Sequence, residues 1–430
     1  MLHGECRPHL ILPLALSLGA LPLDLADSFV TVARADVHTR RVDRSAIAIS
    51  ANGRYIAFSS YARLHPDDSN NASDLYVLDR ETGIVSLEPA PSQGELTADV
   101  TAPSLSADGR LLVFGFLERS SARRMVALRD RLGGATRVPG RDGIALDGDI
   151  RSARLSGNGE VLVFSSSATN VVDGPDANGH AEDVYVAEVA SMRFERISVD
   201  DAGRQPDAGA SFDPTVSVDG RFIAFTSTAP VNGVPQGRRT AVYLRDRHTG
   251  TTKPVCVGVD TAPGNGSCYE PAINANGRYI AFVSDATNLA KGRDDNRSPD
   301  VFVRDTLRNV TELISRGADS KNAGNGASLH PAISSDGRFV VFQSEASDLV
   351  CARRCPAPDR DINLVADIFV RDRLSGTTRR VSRAREPWME PSLGPAIDGS
   401  GAVIAFSSQH PTDSGDDRED FDLFVWTRDF

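Results

Sequence analysis

The sequence predicts an all-β chain: a seven-bladed propeller of four-stranded antiparallel blades. Two observations predict it. A ten-residue phrase recurs seven times, as ISANGRYIAF, LSADGRLLVF, LSGNGEVLVF, VSVDGRFIAF, INANGRYIAF, ISSDGRFVVF and IDGSGAVIAF. Its glycines (Gly53, Gly109, Gly159, Gly220, Gly277, Gly337, Gly401) and its phenylalanines (Phe58, Phe114, Phe164, Phe225, Phe282, Phe342, Phe406) advance by the same steps of 56, 50, 61, 57, 60 and 64 residues. A period of this length marks a repeat architecture, so the 430 residues need not be several unlike domains.

Each phrase reads as strand, tight turn, strand, because Asn-Gly and Asp-Gly accept the positive φ of a two-residue hairpin turn. The second strand, as in Arg54 to Phe58, is apolar on both faces, as a strand packed between neighbouring sheets must be. A third strand follows a variable loop: DLYVLD from Asp74, DVYVAE from Asp183, AVYLRD from Ala241, DVFVRD from Asp300, DIFVRD from Asp367 and DLFVWT from Asp422, with a weaker RMVALRD in unit two. A turn such as Ser375-Gly376 leads to a more polar fourth strand, such as TTRRVS at 377–382. No helical periodicity appears. Unit seven has no fourth strand before Phe430, and residues 37–43 match one. That segment is therefore expected to complete the last blade and cover its open edge, the alternative being an unpaired tail.

The phrase S-x-[DN]-G-R-x-[IV]-[AV]-F followed by D-[VIL]-[FY]-V-x-D resembles the TolB-type propeller repeat, over nearly all of residues 36–430. The resemblance implies a propeller of bacterial envelope proteins, often a scaffold for protein partners and without a shared catalytic residue. TolB itself has six blades and an added N-terminal domain, so its particular partners do not carry over.

Residues 1–35 read as a signal peptide or leader, uncharged from Leu10 to Leu23, with an Ala33-Arg34-Ala35 cleavage motif before a single propeller domain at 36–430. The expected location is the periplasm or outside the cell; a disordered apolar leader on a cytoplasmic protein is the other reading. No later stretch is apolar enough to span a membrane, and a monomer is expected. Cysteines point the same way. Cys6 would leave with the leader, and the remaining four form local pairs, Cys256 with Cys268 and Cys351 with Cys355, as an oxidising compartment permits. The spacing of CARRC does not suit zinc. A formal charge of −11, with 44 of the 47 basic residues arginine and scattered, excludes a nucleic-acid partner.

A second pattern, D-x-N-x3-D, occupies the loop between second and third strands: Asp68/Asn70/Asp74, Asp294/Asn296/Asp300 and Asp361/Asn363/Asp367, with one extra residue in Asp176/Asn178/Asp183. All these loops leave one face of a propeller. Their oxygens are candidate calcium ligands, although the glycine and terminal glutamate of an EF-hand are missing. The structural alternative is capping of the loop by its own Asx turns, with the last aspartate starting the third strand. No cofactor other than calcium is expected, although His65, His180 and His410 converging on the loop face could hold a transition metal.

Arginine at the start of the second strand should face aspartate at the end of the third. The pairs are Arg54 with Asp79, Arg110 with Asp130, Arg221 with Asp246, Arg278 with Asp305 and Arg338 with Asp372. Unit three sets Glu160 near Glu188, and unit seven sets Ala402 opposite Asp429. No G-x-S-x-G elbow, HExxH helix or phosphate-cradling loop occurs. His65, His180, His330 and His410 fall in or near connections, and three of them, His65, His180 and His410, share the loop face on this reading. The expectation is a non-catalytic scaffold that binds a protein or small ligand on the loop face. The alternative is a propeller lyase or hydrolase with its site at the channel mouth, which convergence of the three histidines would favour. A peptidase propeller lacking its hydrolase partner ranks behind both.

Overall fold

The computed structural model describes residues 28–35 and 47–428 apart from 70–72, 90–93, 96–101, 119, 142, 234–238, 293, 295, 319–321, 352–360, 362–364, 383–390 and 410–420. Its strands form seven antiparallel blades. Blade four is typical: Ser211–Val216, Phe222–Ser227, Ala241–Asp246 and Thr251–Pro254, in that order from the channel outward. Blade two departs from it. Its second and third strands run eight residues each, Leu111–Glu118 and Arg123–Asp130, and two short segments, Gly94–Glu95 and Ser104–Leu105, share the inner edge.

The second and third strands are the core, as their apolar residues require. In six blades the phrase phenylalanine stacks on an aromatic residue directly opposite, from Phe58 on Tyr76 to Phe406 on Phe424, with ring centroids 5.6 to 6.0 Å apart. Phe114 instead faces Ala127, which is why unit two reads weakly.

The phrase glycines meet two demands. Gly337 has φ +74°, and a Cβ there would lie 2.3 Å from Cδ2 of Tyr279 in the preceding blade. Next to these turns, backbone amides link each blade to the next around the axis. Asn52 donates to Ala107, Ala107 to Gly157, Asn158 to Val218, Val218 to Ala275, Ala275 to Ser335, Ser335 to Gly399 and Gly399 to Ala51, at 2.8 to 3.2 Å. The last link joins blade seven to blade one.

All five expected arginine–aspartate pairs form, each through Nε and Nη2 to the two carboxylate oxygens, as in Arg338–Asp372 at 2.9 and 2.7 Å. The exception in blade three has a cause. Arg247 of blade four reaches across to Glu188 at 2.6 Å and Glu195 at 3.0 Å, while Asn158 donates to Glu160 at 2.7 Å. In blade seven, Arg428 stacks on Phe339 of blade six, 4.0 Å from its centroid; Asp429 lies outside the described residues.

Residues 37–43, expected to complete blade seven, also lie outside them. Ser28–Ala35, read from sequence as the end of the leader, pairs antiparallel with Phe421–Thr427. Its aromatic and β-branched Phe29, Val30, Thr31 and Val32 suit a strand. Cys256 and Cys268 form the expected disulfide. Cys351 is also disulfide-bonded, and its expected partner Cys355 falls outside the described residues. No helix among the described residues is long and apolar enough to cross a membrane.

Two predictions follow from this packing. Gly337→Ala should lower unfolding stability by roughly 2 to 4 kcal/mol, because backbone strain and overpacking add. Gly83→Ala, at φ +71° with nothing within 4 Å, should cost only the strain, roughly 1 to 2 kcal/mol, in denaturant titrations. Hydrogen bonds from Arg54, Arg221 and Arg338 hold Asp79, Asp246 and Asp372 at about 2. Depressed carboxylates stabilise above their unfolded value near 4 and lose that contribution as pH falls through 2, so Tm should drop across this window. Asp246→Asn should flatten the drop.

Candidate functional site

The innermost strands of blades four to seven carry a proline at their fourth position: Asp213-Pro214, Glu270-Pro271, His330-Pro331 and Gly394-Pro395. Proline gives no ladder hydrogen bond and is tolerated on a sheet edge, here the edge at the channel. At these positions the pairing with the second strand slips by a bulge. The residue before each proline turns left-handed, at φ 49°, 52°, 53° and 61°. For Asp, Glu and His this costs roughly 1 to 2 kcal/mol each, and a pre-proline residue ordinarily prefers extended backbone. Strain of this kind gathers at working sites.

The strained side chains line a channel cavity of about 500 Å³. Glu270 Oε2 stands 2.9 Å from His330 Nδ1 and also accepts the His330 backbone N–H at 2.9 Å. Nε2 of the same ring is buried and has no hydrogen-bond partner. An imidazole whose Nδ1–H faces a carboxylate carries its lone pair on Nε2. Next along the ring, Ser152 Oγ donates to Asp213 at 3.2 Å. Gly394 and Ala102 hold the equivalent places in blades seven and two, so one wall of the channel is polar and the other small and apolar. Arg154 adds a positive charge to the polar wall.

The ring lies toward the loop face, since these residues sit three places in from the end where Ser211 faces Ser227 and Ser328 faces Ser344. Above it, Arg151 pairs with Glu182 at 3.0 Å. Burial pushes the Glu182 carboxyl up, and the charge of Asp213 adds to the effect.

His330, taken from sequence as a residue of a connection, therefore sits on an innermost strand. Glu270, Asp213, Ser152 and Arg154 were missed altogether. The signal was present: a proline stands six places before the phrase glycine in five units, at Pro103, Pro214, Pro271, Pro331 and Pro395. Of the three histidines singled out instead, two are described. His65 accepts from Asp67 N, His180 lies 3.3 Å from Ser167 O within its own blade, and His410 lies outside the described residues.

The acidic loops are tied to their own blades. In blade three, Asp176, Asn178 and Asp183 converge on the Gln205 amide nitrogen at 2.6 to 2.7 Å, with Arg196 3.2 Å from Asp176. In blade six, Arg380 lies 3.6 and 3.5 Å from Asp361 and Asp367. In blade one, Asp68 accepts the Tyr76 hydroxyl at 2.6 Å and Asp74 begins the third strand. Asn70 and Asn363 lie outside the described residues. Blade five has Leu313 where blades three and six have those arginines, and Asp300 is held by Ser315 at 2.6 Å and Asn296 at 2.8 Å. Among the described residues no three His, Cys, Asp or Glu side chains come together as a metal-holding group.

Burial raises Asp300 to about 7, with the charge of Asp294 adding. A carboxyl raised in the fold stabilises fully below its unfolded value near 4 and loses that contribution as pH rises through 7. Thermal unfolding should therefore show stability declining between pH 4 and 8, and Asp300→Asn should remove most of that slope.

With the geometry in place, the comparisons locate the fold. No protein-family model matches the chain, and no curated protein is similar to it in sequence. The likeness is to seven-bladed propeller structures. An oligogalacturonate lyase in complex with manganese is 13% identical, covering 94% of this chain and 98% of that one at a TM-score of 0.54. The Vibrio parahaemolyticus oligogalacturonate lyase is 12% identical, covering 93% and 98%, at 0.53. Pyrococcus horikoshii acylaminoacyl peptidase is 12% identical at 0.52, over 91% of this chain and 52% of that one. At such identities the likeness establishes the fold. The three structures named are of enzymes, which puts the expected non-catalytic scaffold behind its alternative, a propeller enzyme.

Proposed function

We propose that this chain is a propeller enzyme of lyase or hydrolase type, with its acid–base centre in the channel and entry from the loop face. The observation that carries this reading is the His330–Glu270 pair on strained backbone. Glu270 orients the ring and stabilises the imidazolium that forms when Nε2 takes a proton. In a lyase that proton comes from carbon beside a carboxylate; in a hydrolase it comes from attacking water. Arg154 favours a substrate that is anionic or becomes so in the transition state. The lyase reading draws support from the oligogalacturonate lyases, whose propellers match this chain end to end. The enzyme works outside the cytoplasm on a TolB-like propeller, a placement supported by the apolar stretch from Leu10 to Leu23, the repeat phrase and the Cys256–Cys268 disulfide.

The test is turnover by the purified chain of oligogalacturonates, followed by ultraviolet absorbance of the unsaturated product, beside chromogenic glycoside, ester and peptide substrates. His330→Gln should lower kcat by roughly 10²- to 10⁴-fold on whichever substrate turns over, and Glu270→Gln by less. Turnover unchanged in His330→Gln, or none on any substrate class, would sink the reading.

A further inference from the structure

A second cavity, of about 810 Å³, opens on the rim of blade five. Its walls are the outer strand Val310–Leu313, the connection from Val257 to Thr261, and the loop at Leu289 to Lys291. The Cys256–Cys268 disulfide closes one side of that connection. Val259 and Val310 are 60% and 59% exposed, so the cavity presents aliphatic surface to solvent.

Three cations line the same cavity: Lys291, Arg304 and Arg316. Among the described residues none of them is ion-paired. Arg304 is only 8% exposed, yet its guanidinium reaches just two neutral oxygens, Thr311 Oγ1 at 3.2 Å and Asn309 Oδ1 at 3.3 Å. The one carboxylate in the lining, Glu312, is bound by Arg373 at 2.9 Å.

Blade four holds an arginine in the same place with more partners. Arg245 faces Thr252 in the register in which Arg304 faces Thr311. It donates to the carbonyl oxygens of Asp200 and Gly250 and to the Thr252 hydroxyl. The Asp201 carboxylate lies in its field and accepts the Thr252 N–H at 2.7 Å. The two connections align through Asp200 N donating to Arg204 O and Gly258 N donating to Ala262 O. In that alignment Gly258 stands for Asp200 and Val259 for Asp201. Blade five has an apolar side chain where blade four has this carboxylate, and has kept the arginine.

We propose that this cavity binds a small organic acid, its carboxylate on Arg304 and Arg316 where blade four uses Asp201, and its apolar body against Val259, Leu289 and Val310. Arginine pairs with carboxylate in a two-pronged geometry that few other anions match, and an apolar tail adds affinity in proportion to its buried area. The site is separate from the channel, and its binding does not depend on turnover there.

Calorimetry with decanoate as probe tests the assignment on the whole chain, with decanol as the uncharged control. Decanoate should bind at least about tenfold more tightly than decanol, the margin a charged hydrogen bond gives. Val259→Asp restores the blade-four arrangement at an exposed position; it should abolish decanoate binding and raise Tm. Arg316→Gln should weaken binding about tenfold with an unchanged circular dichroism spectrum. Equal affinity for decanol and decanoate, undiminished binding in Val259→Asp, or no binding by the unmodified chain would each overturn the proposal.

Discussion

The circle of backbone hydrogen bonds beside the phrase turns is the constraint on which this molecule depends. Each link needs the next blade's turn close enough to touch, which is why a glycine without Cβ sits where the preceding blade's Tyr279 or its equivalent presses in. Seven such links exhaust the angle around the axis, so blade one meets blade seven through Gly399 and Ala51. The arginine–aspartate pairs then brace five of these turns from the outer side. Blade three, which has glutamates there, receives its cation from blade four.

Much of this was legible in the sequence because the repeat supplied its own controls. A two-residue turn, an apolar strand and a fixed arginine–aspartate offset appear often enough to be read as pairing rules, and the structure places those pairs together. The blade-three exception could not be resolved that way, since Arg247 belongs to the following unit and compensates across an interface that no single repeat contains.

The channel was harder to see for a physical reason. A repeat is recognised by what stays the same, whereas the residue before the inner-strand proline differs in each of the five units that carry one: Ala102, Asp213, Glu270, His330 and Gly394. In blades four to seven it stands at a bulge facing the channel, so the pairing of the blade does not select one residue type there. His65 and His180, which drew notice instead, lie in loops and make local hydrogen bonds. The acidic loops behave likewise, with serines such as Ser198, Ser315 and Ser382 fastening the third-strand aspartate in place.

The bulges therefore separate two jobs, holding the blade and lining the channel. Hydrogen bonding and core packing hold the blades whatever stands before the proline, which leaves one interchangeable slot per blade facing a shared space. Such a molecule is a combination lock with a fixed case: a single substitution on an inner strand resets one tumbler, and new chemistry can be dialled in without recasting the metal around it.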